Sequence, residues 1–311
     1  MMQCLTFKET TTMPLTVTPI EPDRLPAFAA EISGIDLRHA GEAEIGGIVA
    51  ALDTYAVVVF RDQPLTGAEH LAFSAKLGPL EPTRYASDPR YAPRLDLRLA
   101  DVSNIGVDSR VMAKDNRRWM SLLGNRMWHS DASFKATPAK YSLLAAYVLP
   151  EWGGETEFAD QRAAYDALSP RLQAEIEDLV AEHDVFHSRR VLGFADFLEE
   201  EQRALPPVPQ AVVRIHPGSR RKSLYLGSHA GSIHGMSVPE GRMLLNDLTD
   251  HATRPEFVHT HHWRVGDLVI WDNRCTLHRG RLFDATQPRD LRRTTITDDG
   301  PTVEQKRRMA G

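Results

Sequence analysis

Residues 263–280 read WRVGDLVIWDNRCTLHRG. The stretch parses as a strand, a turn at Gly266-Asp267, and a second strand through Leu268, Val269, Ile270 and Trp271. An apolar strand that ends in a tryptophan and then runs on to a histidine delivers His278 toward the interior. Working outward, residues 28–37 and 55–61 read as strands, the latter for its β-branched core Val57-Val58-Val59. KYSLLAAYVL (140–149) reads as a buried strand, and LRRTTIT (291–297) as the last one. Residues 211–216 and 223–227 read as two strands joined by His216-Pro217-Gly218-Ser219. Helices are fewer. One is capped by Thr66, runs to about Lys76 with Leu71, Phe73 and Leu77 as its apolar set, and is ended by Gly78-Pro79. A second starts at Ser169-Pro170, with Leu172, Ile176, Leu179 and Val180 on one face. A third runs from Ser237 to about Asp250, with Val238, Met243, Leu244 and Leu248 inward. Residues 81–120 read as long loops with short strands, and 193–210 as an acidic, then proline-rich excursion. Many short strands with a few helices between them predict an α+β domain on a β-sandwich or barrel.

Composition bounds the function. The 311 residues are 42% hydrophobic and 25% charged, the balance of a globular protein. The net charge of -5 argues against a nucleic-acid partner, which calls for a basic face. No run of apolar residues is long enough to span a membrane. The two cysteines, Cys4 and Cys275, form no CxxC pair, so neither a zinc ribbon nor a disulfide framework is expected. Low cysteine use and the lack of a secretory signal predict a cytoplasmic protein. Residues 1–12 are expected to be a disordered leader, 13–300 a single catalytic domain and 301–311 a tail.

The chemistry starts at Trp128-His129-Ser130-Asp131. In extended chain, positions i and i+2 point the same way, so the imidazole of His129 and the carboxylate of Asp131 can converge. His-x-Asp alone is common by chance. A further neutral histidine such as His278 would complete a 2-His-1-carboxylate triad, which leaves one face of an octahedral iron open. Downstream, Arg289 and Arg293 are four apart and so share one side of an extended strand, whereas Arg292 does not. A guanidinium binds a carboxylate in bidentate fashion. Thr156, after the turn-forming Gly153-Gly154, offers a hydroxyl donor. His259, His261 and His262 form a cluster read as a surface strand rather than a second metal site.

Taken together, WHSDASF (128–134), PEWGGETEFADQRAAYDALSP (150–170), WDNRCTLHRG (271–280) and the Arg289/Arg293 pair resemble the taurine dioxygenase superfamily. More closely they resemble its 2,4-dichlorophenoxyacetate/2-oxoglutarate dioxygenase branch. The resemblance covers about residues 28–298. It implies a double-stranded β-helix, or jelly roll, with flanking helices, and Fe(II), 2-oxoglutarate and O2 as cofactor and co-substrates. It places the iron on His129, Asp131 and His278. It gives 2-oxoglutarate to Thr156 and to Arg289, eleven residues after His278, and the anionic group of the prime substrate to Arg293. Asn125 falls four residues before the first ligand, where the family has a substrate-side asparagine. His229 matches a branch histidine linked to substrate; a second one, three residues on, is Ser232 here. Arg84 falls near a substrate-facing family position.

The reaction implied is hydroxylation of the carbon α to the carboxylate of an aryloxyalkanoate, with release of a phenol, a 2-oxo acid, succinate and CO2. The expected partner is a small anionic aromatic substrate, and relatives' habits imply a homo-oligomer. Rival readings are a sulfonate or alkylsulfate dioxygenase with the same triad, and a non-catalytic cupin-like metal-binding protein, which would not need the Thr156/Arg289 pair. A zinc hydrolase lacks support, because no HExxH occurs.

Overall fold

The computed structural model describes residues 15–83 and 92–310. The chain opens with strands β1 (Thr16–Pro19) and β2 (Ala30–Ser33), helix α1 (Glu42–Tyr55), β3 (Val57–Phe60) and α2 (Gly67–Ala75). Then come β4 (Ala100–Asp101), α3 (Arg117–Leu122), the long β5 (Ala139–Val148), β6 (Thr156–Asp160), α4 (Gln161–Asp166) and α5 (Pro170–Ile176). β7 (Val180–His183), α6 (Val185–Val191), α7 (Glu199–Ala204), β8 (Val208–Ala211), β9 (Val213–Ile215), β10 (Lys222–Leu224) and β11 (Ala230–Ile233) follow. The last part holds α8 (Val238–Ala252), β12 (Val258–His261), β13 (Leu268–Asp272), β14 (Thr276–Gly280), β15 (Asp290–Thr297) and α9 (Thr302–Ala310).

Seven strands make the main sheet, in the order β1-β2-β3-β13-β5-β15-β4. All neighbours are antiparallel except β2 and β3. Its central strands are apolar runs because both faces are covered: every residue of β3 and of β13 is buried. On one face Ile48 and Leu52 of α1 and Phe73 of α2 pack against Val58, Phe60, Leu143 and Ile270. On the other, Val57, Leu144, Val269 and Trp271 meet Phe158 of β6, which belongs to a second sheet ordered β12-β6-β14. The site lies where these two sheets face each other. A third sheet (β11-β7-β8) and the β9-β10 pair enclose another core with α4 and α8, built from Tyr165, Val213, Leu224, Leu245 and Leu248.

Several expectations change in detail. α1 has no counterpart in the reading above: Gly46-Gly47 in mid-helix weakens its local signal, and burial of Ile48 and Leu52 stabilises it instead. Ser169 caps α5 as expected, but the helix stops at Ile176 and Val180 opens a strand. In α8 the inward residues are Leu245, Leu248 and Ala252, whereas Val238 and Met243 are 51% and 61% exposed. Ser237 caps the helix and Leu248 is inward, with Leu244 packed at the edge of the core, as expected; Val238 in the first turn and Met243 fall outside the buried stripe. The strand read from Trp263 lies earlier, at β12. His259 and His261 on it are both buried rather than on a surface strand: the Nδ1 of His259 bonds Glu21 and the Nε2 of His261 bonds Asp267. Positions i and i+2 share a face, and that face is covered; His262 points to solvent. The excursion at 193–210 contains α7, and the C-terminal segment contains α9, which packs on β8 and β9.

At the end of β13, Asp272 is buried against Arg274 at 2.6 Å and His216 at 2.9 Å. Burial alone would raise its carboxyl, but Arg274 and His216 outweigh burial and hold it well below the ordinary 3.8. Cys275 comes near enough to suggest a metal cluster with His216 and Asp272. Yet the carboxylate is already paired, and burial pushes the thiol well above its usual range, so the cluster is structural. A depressed folded-state value contributes stability above the unfolded value and loses it as the pH falls. Folding stability, read by equilibrium unfolding, is therefore expected to fall steeply below about pH 4. Asp272→Asn should cost about 3 kcal/mol at neutral pH and flatten that acid limb. Equal acid limbs for the two proteins in urea titrations would contradict this.

Candidate active site

His129 and His278 are brought together by the backbone. Their segments form an antiparallel bridge, with the His129 N–H donating to the His278 carbonyl at 3.0 Å and the reverse bond at 2.9 Å. Gly227 permits this close layering. It has φ +107, and a Cβ there would sit 3.0 Å from both the Cα of His129 and the carbonyl oxygen of Trp128. The chain then turns at Asp131, so the carboxylate meets both rings. His129 Nε2 lies 3.8 Å from Oδ1 of Asp131, and His278 Nε2 lies 3.6 Å from its Oδ2. One ligand atom from each of the three residues falls within 4.8 Å of the others, and all three are buried.

This donor set fits a metal ion. The Nδ1–H of His129 donates to the Met127 carbonyl at 2.8 Å, which leaves Nε2 as a lone-pair donor. Burial lowers both histidines, that of His278 reinforced by His129, so both are neutral ligands. Burial would raise Asp131, but the Arg293 guanidinium above all, with the Ser142 hydroxyl, more than offsets it and keeps the carboxylate ionised. Its Oδ2 accepts from the Ser142 hydroxyl at 2.7 Å, and its Oδ1 accepts from Arg293 Nη1.

Two pockets meet at His129, sharing Val102, Leu122, Asn125 and Arg293. The first is lined by His278, Thr156, Leu144, Trp271, Phe283 and Arg289. Arg289 is buried, forms no ion pair among the described residues, and has an Nε with no hydrogen-bond partner. Burial pushes its guanidinium down to about 10, with Glu155 opposing. Its Nη2 donates to the Gly154 carbonyl at 3.1 Å, and it lies over the ring of Phe283. A buried, unneutralised cation of this kind is a receptor for a carboxylate. Gly154, at φ +82, makes room: a Cβ there would meet Arg289 Nε at 3.0 Å. The hydroxyl of Thr156 accepts from Trp263 Nε1 at 3.0 Å, so its own proton remains available to the pocket.

The second pocket is lined by Asp131, Phe134, Lys135, Arg189, His229 and Arg293 among others. His229 is buried, bonds Ser188 through Nδ1, and stands edge-on to Phe134 with centroids 5.1 Å apart. Antiparallel pairing of β15 with β5 sets Arg293 beside Leu144 and turns it to the cavity, while Arg292 turns away to lie over Tyr147. The expected residues His129, Asp131, His278, Thr156, Arg289, Arg293, Asn125 and His229 thus gather around one space. Arg84 lies outside the described residues. Sequence reasoning missed Trp263, Ser142, Asn273 and Asn104. Asn104, whose Oδ1 accepts from the Arg289 N–H at 2.8 Å, sits in the loop region that carries no periodic signal.

A family model described as taurine catabolism dioxygenase TauD, TfdA family matches residues 16–295. The chain belongs to that family. It is 48% identical to the alpha-ketoglutarate-dependent 2,4-dichlorophenoxyacetate dioxygenase of Cupriavidus pinatubonensis, over 88% of this chain and 96% of the relative. It is 36% identical to the (S)-phenoxypropionate/alpha-ketoglutarate-dioxygenase of Sphingobium herbicidovorans, over 88% and 92%. Among solved structures it is similar to AAD-2 in complex with Mn(II) and N-oxalylglycine. The TM-score is 0.84 and the identity 48%, with 93% of this chain and 99% of that one covered. The mixed α/β, sheet-rich core is thus that of the family. Among the described residues, no helix is long and apolar enough to cross a membrane.

Proposed function

We propose that this protein is an Fe(II)- and 2-oxoglutarate-dependent dioxygenase on a jelly-roll core, hydroxylating an aryloxyalkanoate at the carbon α to its carboxylate. The observation that carries the reading is the buried His129–Asp131–His278 cluster opening on a pocket that also holds the unneutralised Arg289. His129, Asp131 and His278 hold the iron. Arg289 and Thr156 take the distal carboxylate of 2-oxoglutarate in the first pocket. With 2-oxoglutarate and O2, the bound iron supplies the oxidation, releasing succinate and CO2 and placing one oxygen atom on the substrate C–H carbon.

The chain's own residues set which bond reacts. Arg293, whose Nη1 is engaged by Asp131 and whose Nε has no partner, takes the substrate carboxylate in this reading, and Asn125 and His229 line the space beside it. Phe134 and His229 offer ring edges to an aryl group. Anchoring the carboxylate fixes the adjacent carbon near the cluster, and the apolar walls of Leu144, Trp271 and Phe283 limit water. The hydroxylated product is a hemiacetal, which collapses to a phenol and a 2-oxo acid, glyoxylate when the substrate is an aryloxyacetate. The similarity to two enzymes named for phenoxy acids favours this substrate class over a sulfonate or alkylsulfate. The same reading makes the protein a cytoplasmic homo-oligomer whose catalytic domain, expected at 13–300, also takes in α9.

The test is anaerobic reconstitution with Fe(II) and 2-oxoglutarate, followed by O2 and a panel of anions. Phenol from 2,4-dichlorophenoxyacetate in step with succinate is the expected result. Succinate coupled only to taurine or an alkylsulfate would move the enzyme to the sulfur substrates. No succinate with any anion would leave a metal-binding protein without catalysis.

A further inference from the structure

Asp131 is held from two sides by one amide. Asn273 Oδ1 accepts from the Asp131 N–H at 3.0 Å and from Trp271 Nε1 at 3.1 Å. Both partners can only donate, so they fix which end of the amide is oxygen. Asn273 Nδ2 must then face Ser142, and it donates to the Ser142 oxygen at 2.9 Å. With its oxygen taken up as acceptor, the hydroxyl proton of Ser142 is directed to Asp131 Oδ2, at 2.7 Å. The Ser130 hydroxyl adds a tie to the Asn273 carbonyl at 2.9 Å. Asn273 and Ser142 are fully buried, so water does not compete with any link. The sheet register makes the juxtaposition: Ser142 on β5 lies directly across from Trp271 on β13, and Asn273 follows two residues on.

We infer that Asn273, acting through Ser142, is a positioning device for the carboxylate ligand. It rests on the metal reading given above. The relay occupies Oδ2 with a fixed donor and pins the backbone of the same residue, so both the rotamer and the height of the carboxylate are set before metal arrives. With Oδ2 so engaged, the oxygen left for the metal to take over is Oδ1, which in this structure accepts from Arg293 Nη1. That preserves the open face on which a chelating 2-oxo acid and O2 depend. The polarity matters as much as the contacts. An aspartate at 273 would present an acceptor to Ser142, draw the hydroxyl proton toward itself, and turn a bare oxygen lone pair on Asp131.

The experiment uses the full chain with Ser142→Ala, the nearly isosteric Asn273→Asp, and the double variant. Co(II) and Mn(II) binding are measured by calorimetry, and anaerobic Fe(II) with 2-oxoglutarate by its charge-transfer absorption. Each single variant is expected to weaken metal binding on the order of tenfold and to move or weaken the absorption band. The double variant should bind no worse than the poorer single one, because both cut the same relay. Metal-free melting separates the alternatives. Variants that melt lower yet bind Co(II) with unchanged Kd and give an unchanged band would overturn the inference, leaving a purely structural network. Independent, multiplying losses in the double variant would overturn the relay as well. If the unaltered protein binds metal in a way that His129→Ala does not affect, the metal reading itself has failed. Wild-type binding that depends on His129 but not on Ser142 or Asn273 sinks only the relay.

Discussion

His129→Ala is expected to lower substrate-coupled succinate formation by more than about 100-fold. Loss of an outer partner of a metal ligand already costs roughly 10- to 100-fold, and this change removes a ligand itself. The geometry leaves no substitute. His129, Asp131 and His278 are the one group of metal-ligand type in that pocket among the described residues, and the His216–Asp272–Cys275 group is committed to Arg274. A second readout is independent of turnover. A metal present at a hundred times its Kd raises unfolding stability by about 2.7 kcal/mol, and the variant should lose most of that thermal shift. Its metal-free form should still fold, because the bridge between the His129 and His278 segments uses backbone atoms. Retained turnover in His129→Ala would refute the assignment of the metal.

Arg289→Gln should separate co-substrate binding from folding. Burying a carboxylate against an arginine and then removing the arginine costs roughly 3 kcal/mol or more, so KM for 2-oxoglutarate should rise on the order of a hundredfold. Metal affinity should hardly change, since Arg289 does not touch the triad. Stability should move the other way. The guanidinium is pushed down to about 10 by burial, and its Nε has no partner, so in the protein alone the charge is a cost. Without 2-oxoglutarate the variant is expected to melt at or above the wild-type temperature; with saturating 2-oxoglutarate the order should reverse. A variant with unchanged KM, or one destabilised with and without co-substrate alike, would show that Arg289 serves the fold rather than the ligand.

Much of the site was legible because the chemistry of its residue types is local. His129 and Asp131 are two apart, close enough that their side chains meet, although in the structure a turn at Asp131 rather than extended chain makes them converge. Arg293 was separable from Arg292 because successive strand residues face opposite ways, and the register of β15 on β5 bears that out; Arg289 lies just before β15 and meets Arg293 only in the lining of the first pocket. The helix caps at Thr66, Ser169 and Ser237 were legible too, since a cap is a contact within four residues. Helix α1 was not, because its two glycines speak against it locally and its stability comes from burying Ile48 and Leu52 in the sheet.

Residue types and their local spacing therefore carry the inventory: the candidate triad, the two arginines, the threonine and the strand-rich class. Packing alone set the relationships between distant segments. It put Ser142 of β5 under Asp131 of the preceding turn, set Asn273 between them, and seated Asn104 of an aperiodic loop beneath Arg289. It also turned His259 and His261 inward against Glu21 and Asp267. The physical reason is that a period of two or of 3.6 records which face of an element a side chain occupies, and nothing in it records what packs against that face.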